Sequence, residues 1–421
     1  MKYGLIGEKL GHSWSCEIHR LIPADYEYEL KELRPDEVGA FVSSRDFRAF
    51  NVTIPYKKTV IPFLDHLSEE AALTGSVNTV VNRDGALYGY NTDVFGLTAQ
   101  LTRGGNAIRG KQTFVLGTGG VSKSAAEAAR RAGARDVTFV SRGEKDGAVT
   151  YEELLARADE AEYFINCTPV GMFPRSGVSP VNVADYPNLC GVTDLIYNPL
   201  RSELVRQARA LGLPAQNGLY MLCAQAVKAA SLFFDRDFAP ELAGAICDRL
   251  TEEKENIVLV GMPASGKTTV GRLLAQRLNR PFIDTDDEIA AKAGKSIPDI
   301  FAQEGEAVFR QIESDVIREV GAKTGAVIAT GGGAVLRPEN VTALKQNGKI
   351  FFLDRAPEKL SPGTGRPLFS DPQQAFQLYA NREPLYRAAA DITVDGNGTV
   401  EETAGKIAEA PPVADEARRF W

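Results

Sequence analysis

The chain has 421 residues, 44% hydrophobic and 24% charged, with a formal net charge of −7. At about 150 residues per domain, that length predicts two to three domains, each able to bury a full core. The acidic balance argues against bulk affinity for nucleic acid but leaves room for a local basic pocket, and no apolar run approaches the ~18 residues of a membrane span.

The opening "MKYGLIGEKLGHS" breaks its apolar run at Gly7 and Glu8, which predicts no signal-peptide core and a cytoplasmic location. Five scattered cysteines, Cys16, Cys167, Cys190, Cys223 and Cys247, include no C-x-x-C pair, so reduced thiols are expected rather than a disulfide frame or a zinc site. His12, Cys16 and His19 share one segment, but no fourth ligand accompanies them and a metal site is not expected.

In chain order, "YGLIG" and "FNVTIP" predict strands and "CEIHRLIP" a helix, which makes an α/β lobe. From Gln112 the pattern runs strand "TFVLG", turn "TGGVS", helix "KSAAEAARRAGA", strand "DVTFVSR", and later strands in "YFINCTP" and "CGVTDLIY". This is a βαβ dinucleotide unit, in which Gly117, Gly119 and Gly120, followed by Val121, let the backbone approach a pyrophosphate at a helix N-terminus. Where an acidic residue would grip the ribose of NAD, Ser141 and Arg142 stand instead, with Lys145 close behind. Arg142 suits a 2′-phosphate, so the expected cofactor is NADP(H).

Several polar residues fall at strand ends outside this unit: Ser13 and Ser15 in "GHSWS", Thr53 and Lys57 in "NVTIPYKK", Asn78 in "GSVNT", and Asn91 and Asp93 in "YGYNTD". Hydride reduction of a ketone builds charge on the carbonyl oxygen, and a cation within hydrogen-bond reach stabilises that oxyanion and delivers a proton. Lys57 is the candidate; alternation along a strand would turn Lys58 to the opposite face.

At Asn256 a second unit begins. "IVLVGMPASGKTTVG" is a full G-x-x-x-x-G-K-[ST] pattern between a strand and a helix, which makes it a strong phosphate-cradle signal. The backbone from Gly261 through Ala264, Ser265 and Gly266 to Lys267 would cup the phosphates. Lys267 would reach the β and γ phosphates of ATP, with Thr269 following, and Thr268 would ligate Mg²⁺. The strand "AVIAT" ends in Gly331, Gly332 and Gly333 rather than an acidic pair, which favours a small-molecule kinase over a motor or switch ATPase. Arg310 and Arg382 are planar forks able to grip one carboxylate, and Asp286 is placed to accept a hydrogen bond from an attacking hydroxyl.

The first ~250 residues resemble shikimate dehydrogenase, matching S-x-S, N-V-T-x-P-x-K, x-V-N-T, N-T-D, G-x-G-G and N-x-T-P-x-G-M patterns in order. The resemblance implies a substrate lobe joined to a Rossmann domain. It also implies that Asp93 lies beside Lys57, that Ser13, Ser15 and Tyr197 hold a substrate carboxylate, and that Thr53, Asn78, Asp93 and Gln225 hold ring hydroxyls. Thr168 and Met172 would lie on the cofactor, Met172 against the nicotinamide. The family form has glycine where this chain has Tyr220. Residues 255–409 are similar to shikimate kinase through "FIDTDDEI", "EAVFRQIE", "GGGAV", "GRPLF" and "NREPLY". That similarity implies a parallel sheet, Asp284 acting through Mg²⁺-bound water, Asp286 at the acceptor hydroxyl, Arg310, Arg382 and the glycine triplet around shikimate, and Arg366 closing as a lid. Pro362 and Gly363 stand near where that family offers an adenine-stacking arginine.

The expected division is a dehydrogenase over 1–250 (substrate lobe 1–93 and 218–250, NADP domain 94–217), a linker over 251–256, a kinase over 257–409 and a tail over 410–421. The expected substrates are 3-dehydroshikimate and then shikimate, with no nucleic-acid or membrane partner. Quinate specificity, or one half serving only as a ligand-binding module, are the competing readings. The linker "TEEKEN" is expected only to keep two independent clefts near each other.

Overall fold

A computed structural model describes residues 1–11, 13–103, 107–360 and 372–410. Three sheets organise them. The first has six strands in the spatial order Tyr28–Glu32, Tyr3–Gly7, Ala49–Val52, Thr79–Arg83, Ala86–Tyr90, His66–Leu67. The first three are parallel, and Thr79–Arg83 runs antiparallel to both of its neighbours. Ala49–Val52 is buried at every position, as a strand covered on both faces must be.

The second sheet is wholly parallel, in the order Ala215–Gln216, Gly191–Asp194, Tyr163–Asn166, Gln112–Leu116, Asp136–Ser141, Ala148–Thr150. Chain order reverses at Gln112–Leu116, so the crevice beyond the ends of that strand and Tyr163–Asn166 is the place where such sheets take ligands. The third sheet is also parallel, with Asn256–Val260 central between Val327–Ala329 and Gly348–Asp354 and with Phe282–Asp284 and Ile392–Asp395 at its edges.

The helix Leu219–Phe234 returns from the second sheet to the first lobe and lies along Thr92–Arg103. Gly96 permits this, because a Cβ there would sit 2.7 Å from the Met221 carbonyl oxygen. The dinucleotide unit is therefore an insertion in the first lobe. The helix Leu242–Lys254 then runs into the strand Asn256–Val260 with Glu255 alone between them. Residues 251–254, expected in a linker, are the last turn of this helix, since nothing in "LTEEKE" breaks a helix before the apolar strand begins.

Candidate active sites

Lys57 Nζ donates to Asp93 Oδ2 at 2.6 Å, and both side chains are largely buried. The reason is not strand alternation: the strand ends at Val52, and the turn that follows keeps Lys57 inward while Lys58 is exposed. Asp93 lies in the first turn of the helix Thr92–Arg103. Its other oxygen accepts from Asn78 Nδ2 at 2.9 Å, and the same amide reaches Thr92 Oγ1 at 3.0 Å and Gln225 Oε1 at 3.5 Å. Asn91 adds a bond across the cleft, from Nδ2 to Ser124 Oγ at 3.1 Å on the dinucleotide-unit helix. Thr53 follows the strand Ala49–Val52, and its backbone N–H is held by the Ile6 carbonyl at 3.0 Å.

Ser13 Oγ donates to Ser15 Oγ at 3.0 Å at the start of the helix Ser15–Leu21. Trp14 between them stacks edge-on against Tyr197, with centroids 5.0 Å apart. Burial pushes the Tyr197 phenol up to about 12, so it stays a neutral hydroxyl donor. Tyr220 does not intrude: it packs under the Arg103 guanidinium at 4.3 Å, whereas Gln225 turns to Asn78. His19 sits in the aromatic core of the first lobe. It is buried, stacked on Tyr28 at 3.6 Å and bonded to Tyr26, and desolvation lowers its pKa to about 3. Among the described residues no group of three or more His, Cys, Asp or Glu side chains is arranged to hold a metal, and His12 lies outside them.

At the switch point, Gly117 has φ +101° and a Cβ there would meet Thr168 Cγ2 at 2.8 Å, while Gly119 and Gly120 face open space. The helix Ser122–Arg131 begins after Val121 with no side chain capping its first amides. The Ser122 N–H turns back to the Gly119 carbonyl at 3.2 Å, and the helix N-terminus beyond it, uncapped by any side chain, fits a pyrophosphate together with the bare glycines. Thr168 is fixed by Asn166 Oδ1 at 2.7 Å, and Met172 is half exposed in the following turn. Ser141 ends its strand and Arg142 projects beyond it, exposed and within electrostatic reach of Tyr151. Lys145 bends over the glycine turn, with Nζ 3.5 Å from the Thr118 carbonyl.

In the second unit, Gly261 (φ +148°), Ala264 (φ +64°) and Gly266 (φ +95°) shape the loop before the helix Lys267–Leu278. Lys267 Nζ is buried and bonded to the Gly261 and Met262 carbonyls at 2.9 and 2.8 Å. Ser265 Oγ is buried with no partner, an orphan that a bound phosphate would satisfy. Thr269 is exposed one turn position further on. Thr268 Oγ1 donates to Asp284 Oδ2 at 2.8 Å, a pairing of hard oxygen ligands that fits Mg²⁺. Asp284 caps the next helix through the Asp286 N–H at 3.0 Å, which aims Asp286 along the same cleft.

The glycine triplet is the hub of the opposite wall. A Cβ on Gly331 would lie 2.7 Å from Asp286 Oδ1, and one on Gly333 would run into the Arg310 guanidinium. Arg382 Nη1 donates to the Gly332 carbonyl at 3.1 Å. Glu313 belongs to the "EAVFRQIE" stretch, three residues after Arg310. It is buried and bonded to Arg310 at 2.7 Å, and burial pushes its carboxyl up against the pull of that arginine. Sequence reasoning passed over Arg355, whose Nε is buried without a partner and whose Nη1 lies 3.8 Å from a Cβ built on Gly266. Arg366, with Pro362 and Gly363, falls outside the described residues.

Comparison with known proteins agrees with both halves. The shikimate dehydrogenase substrate binding domain matches residues 5–80, and the shikimate kinase family matches residues 263–411. A shikimate dehydrogenase (NADP(+)) from Clostridium perfringens is 34% identical over 268 residues, covering 60% of this chain and 96% of that relative. A shikimate kinase from Symbiobacterium thermophilum is 50% identical over 148 residues, covering 33% of this chain and 85% of that relative. The structure of Thermus thermophilus shikimate 5-dehydrogenase in complex with NADP(H) and shikimate superposes with a TM-score of 0.54 at 30% identity, covering 59% of this chain and 99% of that one. With both cradles accounted for, the chain belongs to the shikimate dehydrogenase family in its N-terminal part and to the shikimate kinase family in its C-terminal part.

Proposed function

We propose that this chain reduces 3-dehydroshikimate to shikimate and then phosphorylates shikimate to shikimate 3-phosphate, two consecutive steps toward aromatic amino acids, in the cytoplasm. The observation that carries the first half is the 2.6 Å contact between Lys57 and Asp93 inside a buried polar network that ends in Gln225. When bound, NADPH supplies the hydride and ATP the phosphoryl group. Lys57 donates a proton to the carbonyl oxygen as it gains charge, and Asp93 orients the ammonium. Ser13, Ser15 and Tyr197 take the carboxylate, with Thr53, Asn78 and Gln225 on the hydroxyls. Gly117, Gly119, Gly120, Val121, Ser141, Arg142, Thr168 and Met172 hold NADP(H).

In the kinase half the loop from Gly261 to Thr269 and Arg355 hold ATP, and Thr268 and Asp284 hold Mg²⁺. Asp286 orients the acceptor hydroxyl, Arg310 and Arg382 grip the carboxylate, and Lys267 neutralises charge on the transferring group. Arg366 is read as the closing cation from its motif alone. The proposed domain limits follow those expected from the sequence, except that Glu255 alone replaces the expected linker 251–256. A paired assay tests the whole: NADPH formation from shikimate and from quinate side by side, then ADP release from ATP with shikimate. Absence of either activity removes the corresponding half, and faster turnover of quinate replaces the substrate.

A further inference from the structure

Arg201 of the dehydrogenase makes a cluster of bonds to the kinase half. The Arg201 backbone N–H donates to the Gln346 carbonyl at 2.9 Å. Its guanidinium donates to the Lys345 and Gly348 carbonyls, each at 2.9 Å, and to the Glu255 carboxylate. Next to it, the Leu200 N–H donates to Asn347 Oδ1 at 2.8 Å. Lys345 and Gln346 end the kinase helix Pro338–Asn347, whose last carbonyls have no partner within their own helix. The dehydrogenase half thus supplies the C-terminal cap of a kinase helix, and the kinase half in turn immobilises the dehydrogenase loop 195–201.

That loop carries Tyr197. Its entry is pinned by Asp194, which is buried and accepts from Ser202 Oγ at 2.5 Å and from the Ile196 N–H at 3.0 Å. Its far end is pinned at Arg201. The junction also reaches the opposite wall of the same pocket: Lys254, one residue before Glu255, pairs with Glu17 at 3.0 Å and lies over the Trp14 ring at 5.1 Å. Trp14 is the residue that packs on Tyr197. The cofactor-side loop joins as well, since the Phe173 N–H donates to the Asn198 carbonyl at 3.0 Å.

We infer that Arg201 is a positioning residue for the dehydrogenase, through which the kinase half holds Tyr197 in place for the substrate carboxylate. The inference rests on the reading of Tyr197 given above. A fork anchored at two acceptors on the other domain and a third at the junction fixes a loop far more firmly than a solvated side chain, and loss of registry at a binding group appears in KM before kcat.

The test uses the full chain and follows shikimate oxidation with NADP. Asn347→Ala lies wholly in the kinase half and removes the acceptor for the Leu200 N–H; Arg201→Ala removes the fork, and Arg201→Lys keeps the charge with fewer bonds. The expected result is a rise of about tenfold in the shikimate KM for Arg201→Ala, a smaller rise for Arg201→Lys and Asn347→Ala, and unchanged NADP KM. A merely structural seam would lower the melting temperature and leave KM alone, and that outcome, in any of the three variants that folds, overturns the inference. Tyr197→Phe separates the two levels. If it leaves the shikimate KM unchanged, the carboxylate reading fails and the inference falls with it. If it raises KM while the seam variants do not, the inference alone fails.

Discussion

Arg310 and Glu313, one turn apart on the helix Glu306–Gly321, are bonded at 2.7 Å with side-chain exposures of only 11% and 1%. Arg310→Ala should therefore do two things: remove half of the proposed carboxylate clamp, and leave Glu313 buried without this charge partner at a cost of about 3 to 5 kcal/mol. Arg382→Ala should remove the other half of that proposed clamp with a smaller effect on stability. Both variants should raise the shikimate KM about tenfold or more while sparing that of ATP. Calorimetry showing normal shikimate binding in either would place the carboxylate elsewhere.

Lys57→Ala should lower dehydrogenase kcat by about a hundredfold or more, because proton delivery and oxyanion stabilisation are lost together. Kinase turnover in the same preparation should be unaltered. Near-normal ketone reduction would remove Lys57 from the reaction.

Cofactor choice offers a third check. Arg142 should give NADP a higher kcat/KM than NAD, and Arg142→Ala should reduce that preference about tenfold. A ratio that does not change would leave Arg142 as a surface cation, with Lys145 over the glycine turn the next residue to substitute.

Two buried groups set opposite pH dependences of stability. His19 has a folded pKa of about 3, so the unfolded chain takes up its proton first, and the stability that the neutral ring contributes above pH ~6.5 is lost as pH falls toward 3. Burial raises the Asp194 carboxyl to about 6, so its protonated form favours folding at low pH and that contribution is lost as pH rises through 6. Urea midpoints measured from pH 4 to 8 should decline less on the acid side in His19→Gln, and the Asp194→Asn variant should gain most relative to wild type above pH 6. Parallel curves for wild type and either variant would show that the substituted group does not titrate in this way.

Product transfer between the halves is expected to pass through solvent. Each half has its own proposed set of substrate ligands, and a small acid escapes a domain far faster than a typical turnover of about 10 per second. In a coupled reaction with an excess of a second, separately added shikimate-consuming kinase, the competitor should take its proportionate share. Near-complete phosphorylation by the fused kinase instead would require a protected path.

Much of both sites could be read from short motifs because the chemistry sits at strand ends, where sequence and geometry are tightly coupled. The phosphate loop after Val260 and the glycine turn after Leu116 follow from local pattern alone. Lys57 was legible by motif, although the alternation offered for it fails once the strand ends at Val52. The seam was not legible. "NPLRSE" and "KQNGK" read as an ordinary loop and an ordinary helix end, and partners about 145 positions apart leave no local trace. Arg355 was hidden for the same reason: only folding brings it beside Gly266 and leaves its Nε without a partner.

The uninterrupted passage from the helix Leu242–Lys254 into the strand Asn256–Val260 has a consequence for flux. Two catalysts on separate chains hold their intermediate at a level that shifts with the expression of each. Here every copy of one brings a copy of the other, so the total amount of protein cancels from the steady-state balance. At a given level of 3-dehydroshikimate, the standing pool of shikimate is then set by the kinetic constants of the two halves and the supply of their cosubstrates. Raising or lowering synthesis of this chain would change throughput without changing that pool.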